Sequence, residues 1–151
     1  MDAFALLIND HAKVSSLFDQ IEPATDATTR QRLFTQLKQE LDVHAHIEET
    51  ILYPALKQAP ETRDITEEGY EEHQEVKDLL AELEATPADS EEWSDMIMEL
   101  RENVEHHVEE EEGEMFQKAW QVLSEEDIDR LGARMEEEKK RLKEQSKSAG
   151  A

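Results

Sequence analysis

Apolar residues recur at steps of three and four along most of the chain, which is the spacing expected of helices with one buried face. Four such stripes are visible, over residues 3–21, about 28–55, 65–83 and 93–122. The segments between them are short, and prolines 23, 60 and 87 lie in or beside those segments. The pattern therefore predicts four helices joined by short loops.

A fifth helix is predicted after the fourth stripe. Ser124-Glu-Glu-Asp127 resembles a capping box, and apolar residues follow it at helical spacing. The last part of this segment, residues 136–147, is nearly all charged, so its outer half is expected to be a solvated helix that adds little core. We expect one domain over residues 1–145 and a disordered tail over residues 146–151.

Long helices joined by short loops specify an antiparallel up-down bundle, because this topology buries all four apolar stripes together. The chain of 151 residues is of ordinary size for one such core. The predicted fold is therefore all-α, an antiparallel up-down four-helix bundle with a C-terminal fifth helix. A monomer or a weak homodimer is expected, the latter through the charged last helix.

The composition is strongly acidic, with 39 Asp and Glu against 16 Lys and Arg and a formal net charge of -23. Such a surface repels nucleic-acid phosphate and anionic lipid, so neither is expected as a partner. The sequence has no cysteine, which leaves His, Asp and Glu as candidate metal ligands. The sequence shows no signal-peptide pattern and no long apolar stretch, so a soluble cytoplasmic protein is expected.

Polar residues interrupt the apolar stripes at six positions. They are His11, His44, Glu48, His73, His107 and Glu111. On the second and fourth helices they form two His-x-x-x-Glu pairs. Residues four apart lie one above the other on a helix, so each pair can offer an imidazole and a carboxylate to one metal ion.

Two further histidines, His46 and His106, lie beside these pairs, and helical phase decides which histidines face inward. Placing His106 inward would bury Glu99, whereas the phase of His107 buries apolar residues. The phase of His46 would likewise bury Asp42. His46 and His106 are therefore assigned to the exterior.

Two ionised glutamates at stripe positions need compensation, and no Lys or Arg occupies a stripe position from which it could neutralise both. A cation from outside is the simplest compensation. Imidazole and carboxylate ligands without sulfur suit iron, manganese or zinc, and six ligands are more than one tetrahedral zinc needs. The six residues fit two metal ions bridged by the glutamates. Ferritin-type bundles use Glu-x-x-His instead, so their ligand set is not matched.

Four motifs resemble those of the hemerythrin-like, HHE cation-binding family. They are Asp10-His11, His44-Ala-His-Ile-Glu48-Glu with Leu52-Tyr53-Pro54, Glu72-His73, and His107-Val-Glu-Glu-Glu111-Glu with Met115-Phe116. The resemblance covers about residues 1–122. It implies two Fe ions held by the six residues and bridged by the two glutamates and an oxo or hydroxo group, with Mn or Zn as alternatives.

The sequence departs from the oxygen-carrying members of that family, which the resemblance says have a fifth histidine four residues after the one on the third helix. Lys77 occupies that position. One metal is therefore expected to keep an exchangeable position. The resemblance implies that a small diatomic ligand, O2 or NO, or peroxide binds there, for sensing, carriage or detoxification.

Two other functions stay open from the sequence. One is a metal-free or iron-responsive helical interaction module, and the other is a peroxide-decomposing, catalase-like di-iron enzyme. Glu72 is either a seventh ligand or an acceptor for an imidazole N–H. Tyr53 and Tyr70 fall off their stripes and are expected at the edge of the bundle.

Overall fold

The computed structural model describes the backbone of residues 1–150 and the side chains of residues 1–146. Over that range the chain forms five helices and no strands, so the all-α prediction is confirmed. Helix α1 is Ala3–Ile21, and α2 runs without a break through Ala27–Ile47, Glu48–Leu52 and Tyr53–Lys57. Helix α3 is Pro60–Glu84. Helix α4 runs through Glu91–Glu110, Glu111–Met115 and Phe116–Val122, and α5 is Glu125–Gly150.

Four of the five described helices, all but α3, begin where the sequence supplies a capping side chain. Asp2, Asp26 and Ser90 each accept a hydrogen bond from a backbone N–H three residues on, at 2.9, 2.9 and 3.2 Å. The Ser124 N–H donates to Asp127 at 3.2 Å, and the Asp127 N–H donates to the Ser124 hydroxyl at 3.1 Å. This reciprocal pair is the predicted capping box.

The connection between α2 and α3 is shorter than the gap between the second and third apolar stripes, which end at about residue 55 and start at residue 65. Helix α3 starts at Pro60, because the fixed φ and missing N–H of proline are tolerated in the first helical turn. The Thr62 hydroxyl donates to the Leu56 carbonyl at 2.5 Å. This bond ties the first turn of α3 to the end of α2.

The core consists of two apolar clusters with a polar layer between them. One cluster lies where α1 starts and includes Leu7, Ile47, Leu52, Leu56 and Phe116. The other lies toward the end of α1 and includes Phe18, Leu37, Leu80, Trp93 and Leu100. On every helix of the bundle, the polar stripe residues fall between the segments that build the two clusters. The four helices therefore bring those residues to one level.

Helix α5 packs against α1 and α2 at the first cluster. Its apolar side chains Ile128, Leu131 and Met135 belong to that cluster. Gly132 faces the start of α1, where a Cβ would come within 2.7 Å of backbone atoms of residues 1–3. A larger residue at this position would push the last helix away from α1.

Within residues 1–150, none of the helices combines the length and the apolar character needed to cross a membrane. The predicted disordered tail covers residues 146–151. Beyond residue 146 it lies outside the side chains that the structure describes, and it stays a prediction.

Candidate metal centre

All six predicted ligands meet in the polar layer, contributed by α1 to α4. Glu48 and Glu111 are fully buried, and the side chains of the four histidines are at most 10% exposed. Each of the four helices supplies one histidine, and α2 and α4 add one glutamate each. The sequence placed these side chains inward, and the structure brings them into contact.

The two glutamates stand between the histidines. Glu111 Oε1 lies 3.1 Å from His11 Nε2, and Glu111 Oε2 lies 2.9 Å from His107 Nε2. Glu48 serves the other two histidines, since its Oε1 atom lies 3.1 Å from the Nε2 atom of each. Each carboxylate therefore touches two imidazoles.

The cluster contains two groups of donor atoms. Within each group, all the donor atoms lie within 4.8 Å of one another. The first is formed by Glu48, His73, His107 and Glu111. The second is formed by His11, His44 and Glu111. Because the Glu111 carboxylate belongs to both groups, the arrangement suits two cations with a shared carboxylate better than one cation.

Among the described side chains, five buried polar atoms make no hydrogen bond, and all five belong to this cluster. They are His11 Nε2, His44 Nε2, His73 Nδ1, Glu48 Oε2 and Glu111 Oε1. His73 Nδ1 lies on the outer side beside Glu49, which leaves the other four as donors for an ion in the cluster. Buried polar atoms are normally paired, because an unpaired one costs about 1–3 kcal/mol. Imidazole nitrogens and carboxylate oxygens are the donors that first-row transition metals take. The residues present therefore fit a bound metal.

Further carboxylates hold the outer nitrogens of the histidines. His11 Nδ1 lies 2.6 Å from Glu112 Oε2, and His107 Nδ1 lies 2.6 Å from Glu72 Oε1. A carboxylate at Nδ1 fixes the ring and favours the tautomer whose Nε2 lone pair is free. Glu72 is thus an acceptor for an imidazole N–H, the second of the two roles that the sequence left open.

The other two histidines have similar partners. His44 Nδ1 lies 3.1 Å from Asp10 Oδ2 in a buried hydrogen bond. His73 Nδ1 lies 3.3 Å from Glu49 Oε2, close enough for an ion pair but not aligned as a hydrogen bond. Every histidine of the cluster therefore has a carboxylate on its outer side.

These outer carboxylates follow an approximate two-fold repetition. Asp10 and Glu72 each precede a single histidine in the sequence and hold a histidine of a His-x-x-x-Glu pair. Glu49 and Glu112 each follow a cluster glutamate and lie against one of the single histidines. The acids beside the ligand motifs are a sequence signal for this outer set, although only Glu72 is assigned such a role from the sequence.

Tyr53 is fully buried, so the prediction that it lies at the bundle edge is wrong. The cause is the π-helical turn Glu48–Leu52, which holds one residue more than an α-helical turn. At about 100° per residue, a regular α-helix would point Tyr53 away from the face of His44, and the extra residue turns it back toward that face. The π-helical turn Glu111–Met115 places Phe116 in the core in the same way.

The Tyr53 hydroxyl lies beside the first donor group. It donates a hydrogen bond to Glu111 Oε2 at 3.3 Å and lies 3.5 Å from Nε2 of both His73 and His107. Burial and the nearby glutamate charges raise the pKa of Tyr53 well above its ordinary value, so it stays a neutral phenol. Gly69 makes room for it, since a Cβ there would meet the hydroxyl at 2.7 Å.

The carboxylates also favour protonated histidines when no cation is bound. Burial alone would lower the pKa of His44, but Glu48 and Asp10 outweigh it, and the pKa rises to about 10. Neighbouring carboxylates outweigh burial for His73 and His107 too, and raise the pKa of both. Protons and cations therefore compete for these nitrogens.

The residues assigned to the exterior lie outside the cluster. The His46 side chain is 40% exposed and pairs with Glu138 of α5 at 3.2 Å, and that of His106 is 64% exposed. Lys77 is half exposed, and its ammonium lies 3.3 Å from Glu49. Lys77 therefore pairs with an outer carboxylate where the resemblance expected a fifth histidine in oxygen carriers.

A small cavity lies against the four histidines of the cluster. Its volume is about 40 Å³. Besides the histidines, its wall includes Val14, Val76, Leu80, Val104 and Val108. A buried water needs about 10–15 Å³ on this measure, so the cavity has room for a molecule of about two heavy atoms.

Comparison with known families matches residues 2–119 to the hemerythrin HHE cation binding domain. A crystal structure of a hemerythrin HHE cation binding domain-containing protein from Mycobacterium kansasii is similar, with a TM-score of 0.84 and 27% sequence identity. The likeness covers 94% of this chain and 87% of that one.

Three curated relatives are similar over 89% of this chain. A DNA nickase from Nostoc sp. is 30% identical, and the chain spans 38% of its length. An uncharacterized hemerythrin-like protein from Schizosaccharomyces pombe and an uncharacterized protein from Mycobacterium tuberculosis are each 29% identical, with 67% and 83% of their lengths covered. Because the domain match spans most of the bundle that holds the six polar residues, the chain belongs to the hemerythrin HHE cation-binding family.

Proposed function

We propose that this protein is a non-haem di-iron protein that binds O2, NO or peroxide at an exchangeable iron position. The proposed iron ligands are His11, His44, Glu48, His73, His107 and Glu111. The observation that supports this most directly is the set of four buried donor atoms inside the cluster that make no hydrogen bond, His11 Nε2, His44 Nε2, Glu48 Oε2 and Glu111 Oε1. The Glu111 carboxylate belongs to both donor groups, which supports two ions.

We prefer iron to zinc and manganese because of the number and type of donor atoms in the cluster. Zinc sites are usually tetrahedral with four ligands, and manganese is found with oxygen-rich donor sets. Four imidazoles with two shared carboxylates give each ion several ligands of mixed type, which suits iron. Manganese and zinc are the alternatives that metal analysis would reveal.

The chain's own residues would position the ligands and limit access. The carboxylates at the outer nitrogens, such as Glu112 and Asp10, orient the imidazoles. The Tyr53 phenol holds a proton beside Glu111. Bound iron would supply an open coordination position and redox chemistry.

The size and lining of the cavity support a small ligand. A volume of about 40 Å³ bounded mostly by apolar side chains accommodates O2, NO or peroxide and excludes larger substrates. The direct test is metal analysis of protein made with iron present. We expect two irons per chain, and less than one metal per chain would contradict the proposal.

A variant series sharpens that test. His107→Ala or Glu48→Gln should lower both the iron content and the melting temperature, because metal binding is coupled to folding. His46→Ala is the matched control, since His46 lies in the same helix as Glu48 but pairs with Glu138 at the surface. Its iron content should equal that of the wild type.

A metal-free interaction module is the main competing function, and chelation separates it from the proposal. Unchanged melting after removal of metal would favour it. A catalase-like activity predicts oxygen evolution from peroxide that disappears with the metal. The nickase activity in the name of the Nostoc relative is not transferred, because a net charge of -23 disfavours DNA binding and the chain spans 38% of that protein.

A further inference from the structure

A second group of metal-ligating side chains lies at the surface, next to the buried cluster. His106 Nε2 lies 3.0 Å from Glu110 Oε1, one turn further along α4, and 3.6 Å from Glu72 Oε2 on α3. One donor atom from each of the three lies within 4.8 Å of the other two. Their side chains are 64%, 27% and 14% exposed in that order, so the group opens to solvent.

We propose that His106, Glu110 and Glu72 form a surface site for a divalent first-row transition cation, separate from the buried centre. One imidazole and two carboxylates are a donor set that Mn²⁺, Fe²⁺ and Zn²⁺ accept, and the open side leaves positions for water. His106 and Glu110 have the same His-x-x-x-Glu spacing as the buried pairs, so both donors lie on one face of α4.

The two-fold repetition of the cluster supplies an independent argument. Asp10 and Glu72 occupy equivalent places, since each holds the Nδ1 atom of a cluster histidine. The second oxygen of Asp10 is neutralised by Lys139 of α5. Among the described residues, no Lys or Arg lies within 4.0 Å of Glu72, whose second oxygen instead faces His106. A bound cation would neutralise the second oxygen of Glu72, as Lys139 neutralises that of Asp10.

The local charge also favours a cation. Glu72 and Glu110 each offer a carboxylate oxygen within 4.8 Å of the other, and Glu68 adds a third negative charge nearby. Carboxylates held this close repel one another unless a positive charge lies between them. The overall charge of -23 raises the concentration of cations at this surface further.

The surface site would share one side chain with the candidate centre. Glu72 Oε1 holds His107 Nδ1 at 2.6 Å, and Glu72 Oε2 belongs to the surface group. His106 and Glu110 are not among the proposed iron ligands, so they can be changed without removing a buried donor.

Titration with Mn²⁺ tests the surface site, with free Mn²⁺ followed by electron paramagnetic resonance on iron-loaded protein. We expect one Mn²⁺ ion to bind the wild type at this site more tightly than further Mn²⁺ ions bind to its other surface carboxylates. His106→Ala and Glu110→Gln should each weaken that site at least tenfold. His46→Ala is the control, because His46 contacts Glu138, which already pairs with Arg141, and its titration should match the wild type.

Identical titration curves for the wild type and His106→Ala would overturn the surface site. Iron analysis of the same samples keeps this result separate from the proposed function. Normal iron content with no difference in Mn²⁺ binding contradicts the surface site alone. Absent iron with a His106-dependent Mn²⁺ site contradicts the di-iron proposal alone.

Discussion

Lys139 of the last helix forms an ion pair with Asp10 of the first helix, and the other oxygen of that carboxylate holds Nδ1 of His44 at 3.1 Å. Asp10 is 2% exposed, and the side chain of Lys139 is 15% exposed. Helix α5 therefore reaches the candidate metal centre through a single carboxylate. The expectation that residues 136–147 are only a solvated helix is too simple at this position.

Lys139→Ala should destabilise the protein by about 2 kcal/mol, because the buried Asp10 carboxylate loses a charged hydrogen bond and keeps its bond to His44. It should also lower the metal affinity, since His44 loses a firmly held partner. Urea unfolding of the chelated protein and metal titration of the same variant measure the two effects. Lys139→Arg keeps the positive charge and should restore most of both.

Lys143→Ala is the matched control, one turn further along α5. Lys143 pairs with Glu40 at 3.1 Å and is 33% exposed, so its removal should cost less than about 1 kcal/mol. Equal losses in the two variants would mean that Lys139 contributes only to the surface of α5. That outcome would contradict a link between the last helix and the centre.

Glu112→Gln should weaken metal binding by about 10- to 100-fold with little effect on the fold. The reason is the contact of 2.6 Å between Glu112 and His11 Nδ1, which orients the imidazole and increases its basicity. Glu109→Gln, an exposed substitution on the same helix, provides the comparison. Competition with a coloured chelator gives both affinities, and equal values would rule out an orienting role for Glu112.

Tyr53→Phe should leave the fold and the iron content close to those of the wild type but change the visible spectrum of the iron-loaded protein. The ring stays stacked on His73, with 5.4 Å between ring centroids, while the hydroxyl beside Glu111 is lost. Loss of the hydrogen bond should cost about 1 kcal/mol. Tyr70→Phe removes a hydroxyl that bonds to the Glu49 carbonyl, and it should leave the spectrum unchanged.

The stability of the metal-free protein should decrease as the pH rises above neutral. The pKa of His44 is raised from 6.5 to about 10 in the fold. A raised pKa stabilises the folded state fully below the unfolded value and no longer does so above the folded value. The urea midpoint of the chelated protein should therefore fall between pH 6.5 and pH 10.

The metal-loaded protein gives the opposite trend and serves as the control. Metal binding displaces protons from His73, His107 and His44, so its stabilising effect should grow as the pH rises. A chelated protein whose midpoint is flat or rises over the same range would show that the histidines are neutral without metal.

The helices and the inward direction of the six polar residues could be predicted because both depend on local spacing. A stripe of period 3.6 fixes which side of a helix is buried, and that distinguished His107 from His106. The start of α3 could not be predicted, because a proline is equally compatible with a connection and with the first helical turn, where Pro60 lies.

The position of Tyr53 could not be predicted from a regular helical period. A π-helical turn shifts the phase of everything after it, and the period-3.6 pattern before the turn gives no sign of that shift. An aromatic residue occurs nine positions after both His44 and His107. This was a clue, because a residue at that spacing faces the same side as the histidine only when the helix between them holds an extra residue. The contact of Lys139 with Asp10 joins residues 129 positions apart, and no local pattern encodes it.

Gly113 offers a test of the π-helical turn itself. Its surroundings are open, since a Cβ built there meets no heavy atom within 4 Å apart from the neighbouring residues and backbone of its own helix, and no residue described by the structure has a positive φ. Gly113→Ala should therefore stabilise the protein by about 0.5–1 kcal/mol through the unfolded state. Deletion of Gly113 should instead destabilise it by at least about 3 kcal/mol, because loss of the extra residue turns Phe116 about 100° out of the core. Urea unfolding compares the two, and a deletion variant as stable as the wild type would show that the extra residue is not needed to bury Phe116.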